Sequence, residues 1–121
     1  MREAIVGAAV RGPYSPAVIG EGRFVFVAGQ GPLRNGEYVP GSIEDETRLT
    51  LENVGAVLEQ AGSGFEHVVR CGVWIVNLED FGAMNRVYET FLSEPWPARA
   101  TVRADLLVGK VEIDCIALVP G

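Results

Sequence analysis

Apolar residues along this chain follow two rhythms, an alternation by two in short runs and a recurrence by three or four in two longer ones. Ala4 to Val10 reads as a first strand ended by Gly12-Pro13. Phe24 to Ala28 (FVFVA), β-branched and aromatic between Gly22 and Gly29, reads as a second. Asn35-Gly36 marks a tight turn before a short segment at Tyr38-Val39. The period then changes. Ile43, Thr47, Leu51, Val54, Leu58 and Ala61 recur at steps of 4, 4, 3, 4 and 3, which is one helical stripe. Ser42 is placed to cap that helix, Glu44, Asp45 and Glu46 suit the positive end of its dipole, and Gly62 closes it. Val68 to Val76 (VVRCGVWIV) predicts another strand. Asn77 caps a second helix from Leu78 to about Leu92. Phe81, Met84 or Asn85, Tyr88 and Phe91 or Leu92 lie along one side of it, and the Pro-Trp-Pro around Trp96 stops it. Ala98 to Leu106 and Lys110 to Val119 finish the chain as two strands joined at Val108-Gly109.

The order β, β, short β, α, β, α, β, β predicts an α+β fold, a single mixed β-sheet with two helices packed on one face. With 121 residues the chain suits a single domain over 1–121 and is too small for two good cores. The other face of the sheet is not polar. In Val68–Val76 both sides of the pleat are apolar, and Ile116 and Leu118 lie opposite Val111, Ile113, Cys115 and Ala117. An uncovered apolar sheet face needs a partner, so a homo-oligomer is expected.

Charge narrows the function. Ten Lys and Arg against 16 Asp and Glu give a net charge of −6, and Lys110 is the one lysine. Such a field repels a polyanion, which argues against a nucleic-acid binder built on phosphate neutralisation. The longest apolar stretches are far short of the ~20 residues that span a bilayer. The N-terminus reads as a strand and not as a secretory signal, because Arg11 and Pro13 interrupt its apolar run. Cys71 and Cys115 both sit in apolar runs and read as buried free thiols of a cytoplasmic protein, not as a nucleophile. His67 and two scattered cysteines give no metal-ligand spacing.

The penultimate strand is the unusual segment. Ala98, Ala100, Val102 and Ala104 share one face, Arg99, Thr101, Arg103 and Asp105 the other. Small residues flank Arg99, which leaves its guanidinium standing over a low wall. A simple hairpin with the last strand sets Arg103 opposite Glu112 and Thr101 opposite Asp114. That register gathers Arg99, Thr101 and Glu112 as an anion clamp, a hydroxyl and a carboxylate acid/base. The same pattern also describes a solvated strand face with cross-strand ion pairs worth under ~1 kcal/mol each. Tyr14, in the Gly12-Pro13-Tyr14-Ser15 turn, is either a turn tyrosine packing its ring on a neighbour or a cleft residue. Asn85 is either a surface polar residue or a buried amide serving a loop. Gly29-Gln30-Gly31-Pro32 is glycine-rich but lacks the lysine and the following helix of a phosphate loop.

Taken together, GPYSPA (12–17), AGQGP (28–32), TLENVGAVLEQAG (50–62), VWIVNLEDFGAMNRVYETF (73–91), PARATV (97–102) and VEIDCIAL (111–118) resemble the reactive intermediate deaminase family, RidA/YjgF, over nearly the whole chain. The resemblance implies a chorismate-mutase-like fold and a homotrimer with sites between subunits. It implies hydrolysis of reactive enamines and imines, such as 2-aminoacrylate and other 2-imino acids, to 2-keto acids and ammonia, with no metal or organic cofactor. Arg99 then matches the residue that grips the substrate carboxylate and Glu112 the one that positions water. Tyr14 matches a cleft tyrosine, Asn85 a structural asparagine near the site, and Gly29 a backbone element lining it. Thr101 stands where the family often has cysteine, and Glu46 where it often has glutamine. Two other readings stay open: a trimeric metabolite-binding or chaperone-like protein without catalysis, and a member with a specialised substrate such as an aminomuconate-type enamine.

Overall fold

Three sheets carry the strands of the computed structural model, which describes residues 1–7 and 10–121. β1 (Arg2–Ile5) and β2 (Ala17–Gly20) form an antiparallel ribbon. β3 (Arg23–Gln30) enters the main sheet, and β4 (Leu33–Arg34) and β5 (Glu37–Tyr38) make a hairpin around Asn35-Gly36. Then follow α1 (Ile43–Gln60), β6 (Val68–Ile75), α2 (Phe81–Phe91), β7 (Ala98–Arg103) and β8 (Val111–Val119). The expected single sheet is therefore a four-stranded mixed sheet with two small ribbons beside it. The first strand stops at Ile5, short of the Val10 predicted, and Ala8 and Ala9 of that prediction lie outside the described residues.

The helices follow their sequence signals. Ser42 accepts from the Asp45 amide at 3.1 Å, and Gly62 turns the chain out of α1 with φ 78°. Asn77 accepts from the Glu79 amide at 2.9 Å and caps a single 3-10 turn, Leu78–Asp80, that leads into α2. Both helices pack on one face of the main sheet. Leu51, Val54, Leu58, Met84 and Tyr88 meet Val73, Ile75, Val111 and Ile113 there, all fully buried.

Strand order corrects one expectation. The main sheet runs β3-β8-β6-β7, so β7 and β8 are not a hairpin. β7 pairs with β6 in parallel through the α2 crossover, and β8 inserts antiparallel between β3 and β6. Polarity gives the reason. β8 is the longest strand and carries Val111, Ile113, Cys115, Ala117 and Leu118 to burial, which suits a central place. β7, with Arg99, Thr101 and Arg103 on one face, suits an edge. Arg103 consequently faces Ile75 and not Glu112, and Thr101 faces Val73 and not Asp114.

The second face of the sheet carries no helix. Phe24 and Phe26 of β3 share it with Ile116, Ala98 and Val102, and Phe26 is 73% exposed. Ala17, Val18 and Val69 complete a shallow apolar groove there.

Opposite that groove, a buried carboxylate ties three connections together. Glu46, 1% exposed, accepts from the Tyr38 hydroxyl at 2.6 Å, the Gly41 amide at 3.1 Å, the Lys110 amide at 2.8 Å and Lys110 Nζ at 3.1 Å. Burial works to raise its pKa, but the hydrogen bonds from Tyr38, Lys110 and Gly41 outweigh burial and hold it below the ordinary carboxylate value. A carboxyl depressed in the folded state contributes stability above its unfolded pKa, and that stability is lost as pH falls through the folded one. Glu46→Gln should therefore unfold about 1–3 kcal/mol more easily at pH 7, a difference that shrinks on acidification below pH 4.5. Urea unfolding of both proteins across that range checks it, and a difference independent of pH would contradict the latch.

Candidate functional site

β7 begins directly after Pro97, and its alternation sends Arg99 and Thr101 to the helix-covered face, in register with Cys71 and Val73. The inner stripe of α2 meets them. Phe81, Asn85 and Tyr88, at steps of 4 and 3, line one side of the helix, and Arg99 lies against them. Its Cζ stands 4.8 Å from the Tyr88 ring centroid and 5.7 Å from that of Phe81. The Tyr14 ring lies 4.9 Å away.

A short strap brings Tyr14 to this place. The Tyr14 amide donates to the Gly12 carbonyl at 2.9 Å, the Arg11 amide to the Tyr14 hydroxyl at 3.2 Å, and the Ser15 amide to the Pro97 carbonyl at 3.0 Å. Ser15 also bridges in parallel to Ala98, so the strap is sewn to the strand that bears Arg99. The turn tyrosine is thus half-buried over a guanidinium.

The polar atoms here lack partners. Arg99 Nε, Nη1 and Nη2, Asn85 Oδ1, the Tyr88 hydroxyl and Thr101 Oγ1 are all buried without a hydrogen bond. Buried polar atoms are nearly always paired, so six of them without partners on one helix-and-strand surface set this place apart. Burial lowers the Arg99 pKa, opposed by the neighbouring Tyr88, Tyr14 and Cys71. Three aromatic faces compensate part of the cation's lost hydration. A guanidinium edge is the group to which a carboxylate or another flat anion binds through two parallel hydrogen bonds. Burial also pushes the Cys71 thiol up to about 11, and Cys115, directly across the ladder, rises for the same cause. Both cysteines are neutral core groups.

Glu112 belongs elsewhere. It is in register with Trp74, on the open face of the sheet, three rows along from Arg99 and on the opposite side. The single neighbourhood expected of Arg99, Thr101 and Glu112 does not form within one chain, because it rested on the β7–β8 hairpin. Glu112 is seated by Gly29 instead. β3 bulges between Val27 and Gln30, and a Cβ at Gly29 would collide with Glu112 Oε2 and lie 2.9 Å from its Cδ. The glycine is where the carboxylate goes. Asp114, on the same face, accepts from the Gly72 amide at 2.9 Å.

Tyr14, Asn85, Arg99 and Thr101 thus come together, and Gly29 and Glu112 form a separate pair. Phe81 and Tyr88 belong to the Arg99 environment although their helical spacing reads as core. The step from Phe81 through Asn85 to Tyr88 held the signal, a polar residue set in the middle of an aromatic stripe.

Comparison with known proteins follows this layout. A family model described as endoribonuclease L-PSP matches residues 4–119. The chain belongs to the YjgF/RidA family. The mitochondrial protein mmf2 of Schizosaccharomyces pombe is 44% identical over 111 residues, covering 88% of this chain and 87% of that protein. The 2-iminobutanoate/2-iminopropanoate deaminase of Capra hircus is 37% identical over 111 residues, covering 88% and 80%. Among solved structures, RidA from an Antarctic Psychrobacter superposes with a TM-score of 0.75 at 35% identity, covering 92% of each chain. TdcF of E. coli with bound serine gives a TM-score of 0.72 at 32% identity, covering 96% of this chain and 91% of that one.

Within this YjgF/RidA chain the orphaned cation has a thermodynamic signature. Replacing a buried, unpaired charge by an apolar side chain of similar length removes a desolvation cost, so Arg99→Met should stabilise the ligand-free protein by about 1–3 kcal/mol. Chemical denaturation of both proteins tests this, and a destabilised Arg99→Met would mean that Arg99 is held by structural contacts.

Proposed function

We propose that this protein, as one domain over residues 1–121, is a hydrolytic deaminase of reactive enamine and imine intermediates. It converts 2-aminoacrylate and other 2-imino acids to 2-keto acids and ammonia and needs no metal or organic cofactor. The observation that carries this reading is the guanidinium of Arg99, buried, flanked by three aromatic rings and without a hydrogen-bond partner. A small carboxylate is the group that such an edge accepts. Support comes also from the relatives named for imine deamination and from the serine bound in TdcF, an α-amino carboxylate.

The chemistry asks little of the protein. Arg99 holds the carboxylate, with Tyr14 and Asn85 beside it, and so fixes the adjacent imine carbon. A protonated imine carbon is electrophilic. Glu112 takes a proton from water as the oxygen adds to that carbon and returns it to the nitrogen, and the carbon–nitrogen bond then breaks as the new hydroxyl loses its proton, leaving the keto group and ammonia. An enamine first gains a proton at carbon to become the imine. Thr101 contributes a hydroxyl on the Arg99 side.

Arg99 and Glu112 lie on opposite faces of one sheet, so a cleft holding both has to be built from two copies of the chain. The bare apolar face around Phe24 and Phe26 supplies the surface for such an assembly. A homotrimer, the state that the family resemblance implies, closes it with a heterologous contact used three times. No helix among the described residues is long and apolar enough to cross a membrane. A cytoplasmic location is part of the proposal, on the strength of two free, buried thiols.

The test couples an L-amino-acid oxidase, which releases 2-imino acids in place, to the appearance of 2-keto acid. Wild type should accelerate the reaction, Arg99→Ala should lose most of the rate, and Arg99→Lys should recover little of it because the fork is gone. Carboxylate binding without acceleration would make the protein a metabolite binder. Co-expressing Arg99→Ala with Glu112→Gln, each inactive alone, should restore about a quarter of wild-type activity, because random mixing leaves that share of two-copy sites intact. No recovery on mixing would refute the shared cleft.

A further inference from the structure

We infer that Gly12 is a positioning residue for Arg99, present because the site needs its missing side chain. The inference rests on the reading of Arg99 as the carboxylate-binding group. A Cβ at position 12 would lie 3.3 Å from Arg99 Nη2, 3.3 Å from Asn85 Nδ2 and 3.3 Å from Tyr14 Cε2. Each distance is tighter than ordinary van der Waals contact, so something has to give by a few tenths of an ångström. All three neighbours are site groups. Whichever yields, the site is what moves.

Backbone conformation does not explain the glycine. Gly7, Gly22, Gly36, Gly62, Gly109 and Gly121 have positive φ, and Gly12 does not. A residue with a side chain can adopt its backbone angles, so the selection is for space. The surroundings make that space rigid. Pro13 follows, Gly12 accepts from the Tyr14 amide at 2.9 Å, and Ser15 fixes the strap to Pro97 and Ala98 at the root of β7. The strap cannot retreat as a unit without breaking these bonds. Relief of a methyl at position 12 therefore falls on the guanidinium, the amide or the aromatic ring. Two-point recognition of a carboxylate tolerates such displacement badly.

The prediction separates recognition from folding. Gly12→Ala should raise KM for a 2-imino acid about tenfold and Gly12→Val more, with kcat changed less than about threefold. Both should keep the wild-type unfolding midpoint in the absence of ligand. Gly31→Ala is the control: Gly31 also lacks a positive φ, and a Cβ there meets nothing within 4 Å. It should leave KM unchanged. The same series is titrated with 2-oxobutanoate by calorimetry, which reads carboxylate binding without turnover. Weaker binding in the Gly12 variants, graded with side-chain size, supports the inference even if no deaminase activity is found. Equal binding of 2-oxobutanoate by wild type and Gly12→Val overturns it while leaving the deaminase reading in place. A fall in kcat with unchanged KM, or a loss of activity that tracks a lowered unfolding midpoint, also overturns it. Failure of wild type to bind 2-oxobutanoate overturns both.

Discussion

A guanidinium without an anion sits at the edge of the main sheet, and the packing around it is arranged to tolerate that. Left alone, a buried cation costs several kcal/mol, more than most single contacts return. Here the cost is reduced by π-faces and not by a carboxylate: the Tyr14, Phe81 and Tyr88 rings lie 4.9, 5.7 and 4.8 Å from the Arg99 Cζ. An internal Asp or Glu would have neutralised the charge and ended its usefulness. The aromatic solution keeps the charge available. Although the net charge is −6, no acidic side chain forms an ion pair with Arg99 among the described residues.

The alternation of side chains along strands then dictates the rest. Cys71, Val73 and Ile75 put their row of β7 on the helix side, so Arg99 is committed to that side as well. Trp74 and Gly72 put Glu112 and Asp114 on the other. No rotamer carries a glutamate through a sheet. On the proposed reading, residues on these two faces share a cleft only where a second copy of the chain completes it.

Much of this was legible in the sequence. The stripe from Ile43 to Ala61 and the Ser42 and Gly62 signals fix α1 closely, and Asn77 with the Pro-Trp-Pro stop brackets the segment that holds α2. Such features are local, set by capping and period. Strand order is not local. Val108-Gly109 reads as a hairpin turn, yet the decision rests on which strand best fills the centre of the sheet, and β8 outcompetes β7 for it. The strand–helix–strand run from Val68 to Arg103 did hold the contrary signal, a parallel crossover. At the site, the family resemblance pointed to Arg99, Tyr14 and Asn85. Phe81, Tyr88 and Gly12 were hidden because aromatic stripes usually mean core and a Gly-Pro pair usually means a turn.

The geometry also bears on the endoribonuclease name that the family carries. A phosphodiester inside a strand of RNA is flanked by a ribose on each side, and an enzyme that cleaves it must offer an open groove lined with cations. Arg99 is instead closed in by two rings of α2, the Tyr14 strap and the small residue at Gly12, and its nitrogens are shielded from solvent. His67, the one histidine, lies on the turn before β6 with Glu66 at 3.5 Å, away from this cluster and without a second histidine to share proton transfer. An enclosed guanidinium of this kind suits the small carboxylate of the proposed reaction better than it suits a strand of RNA.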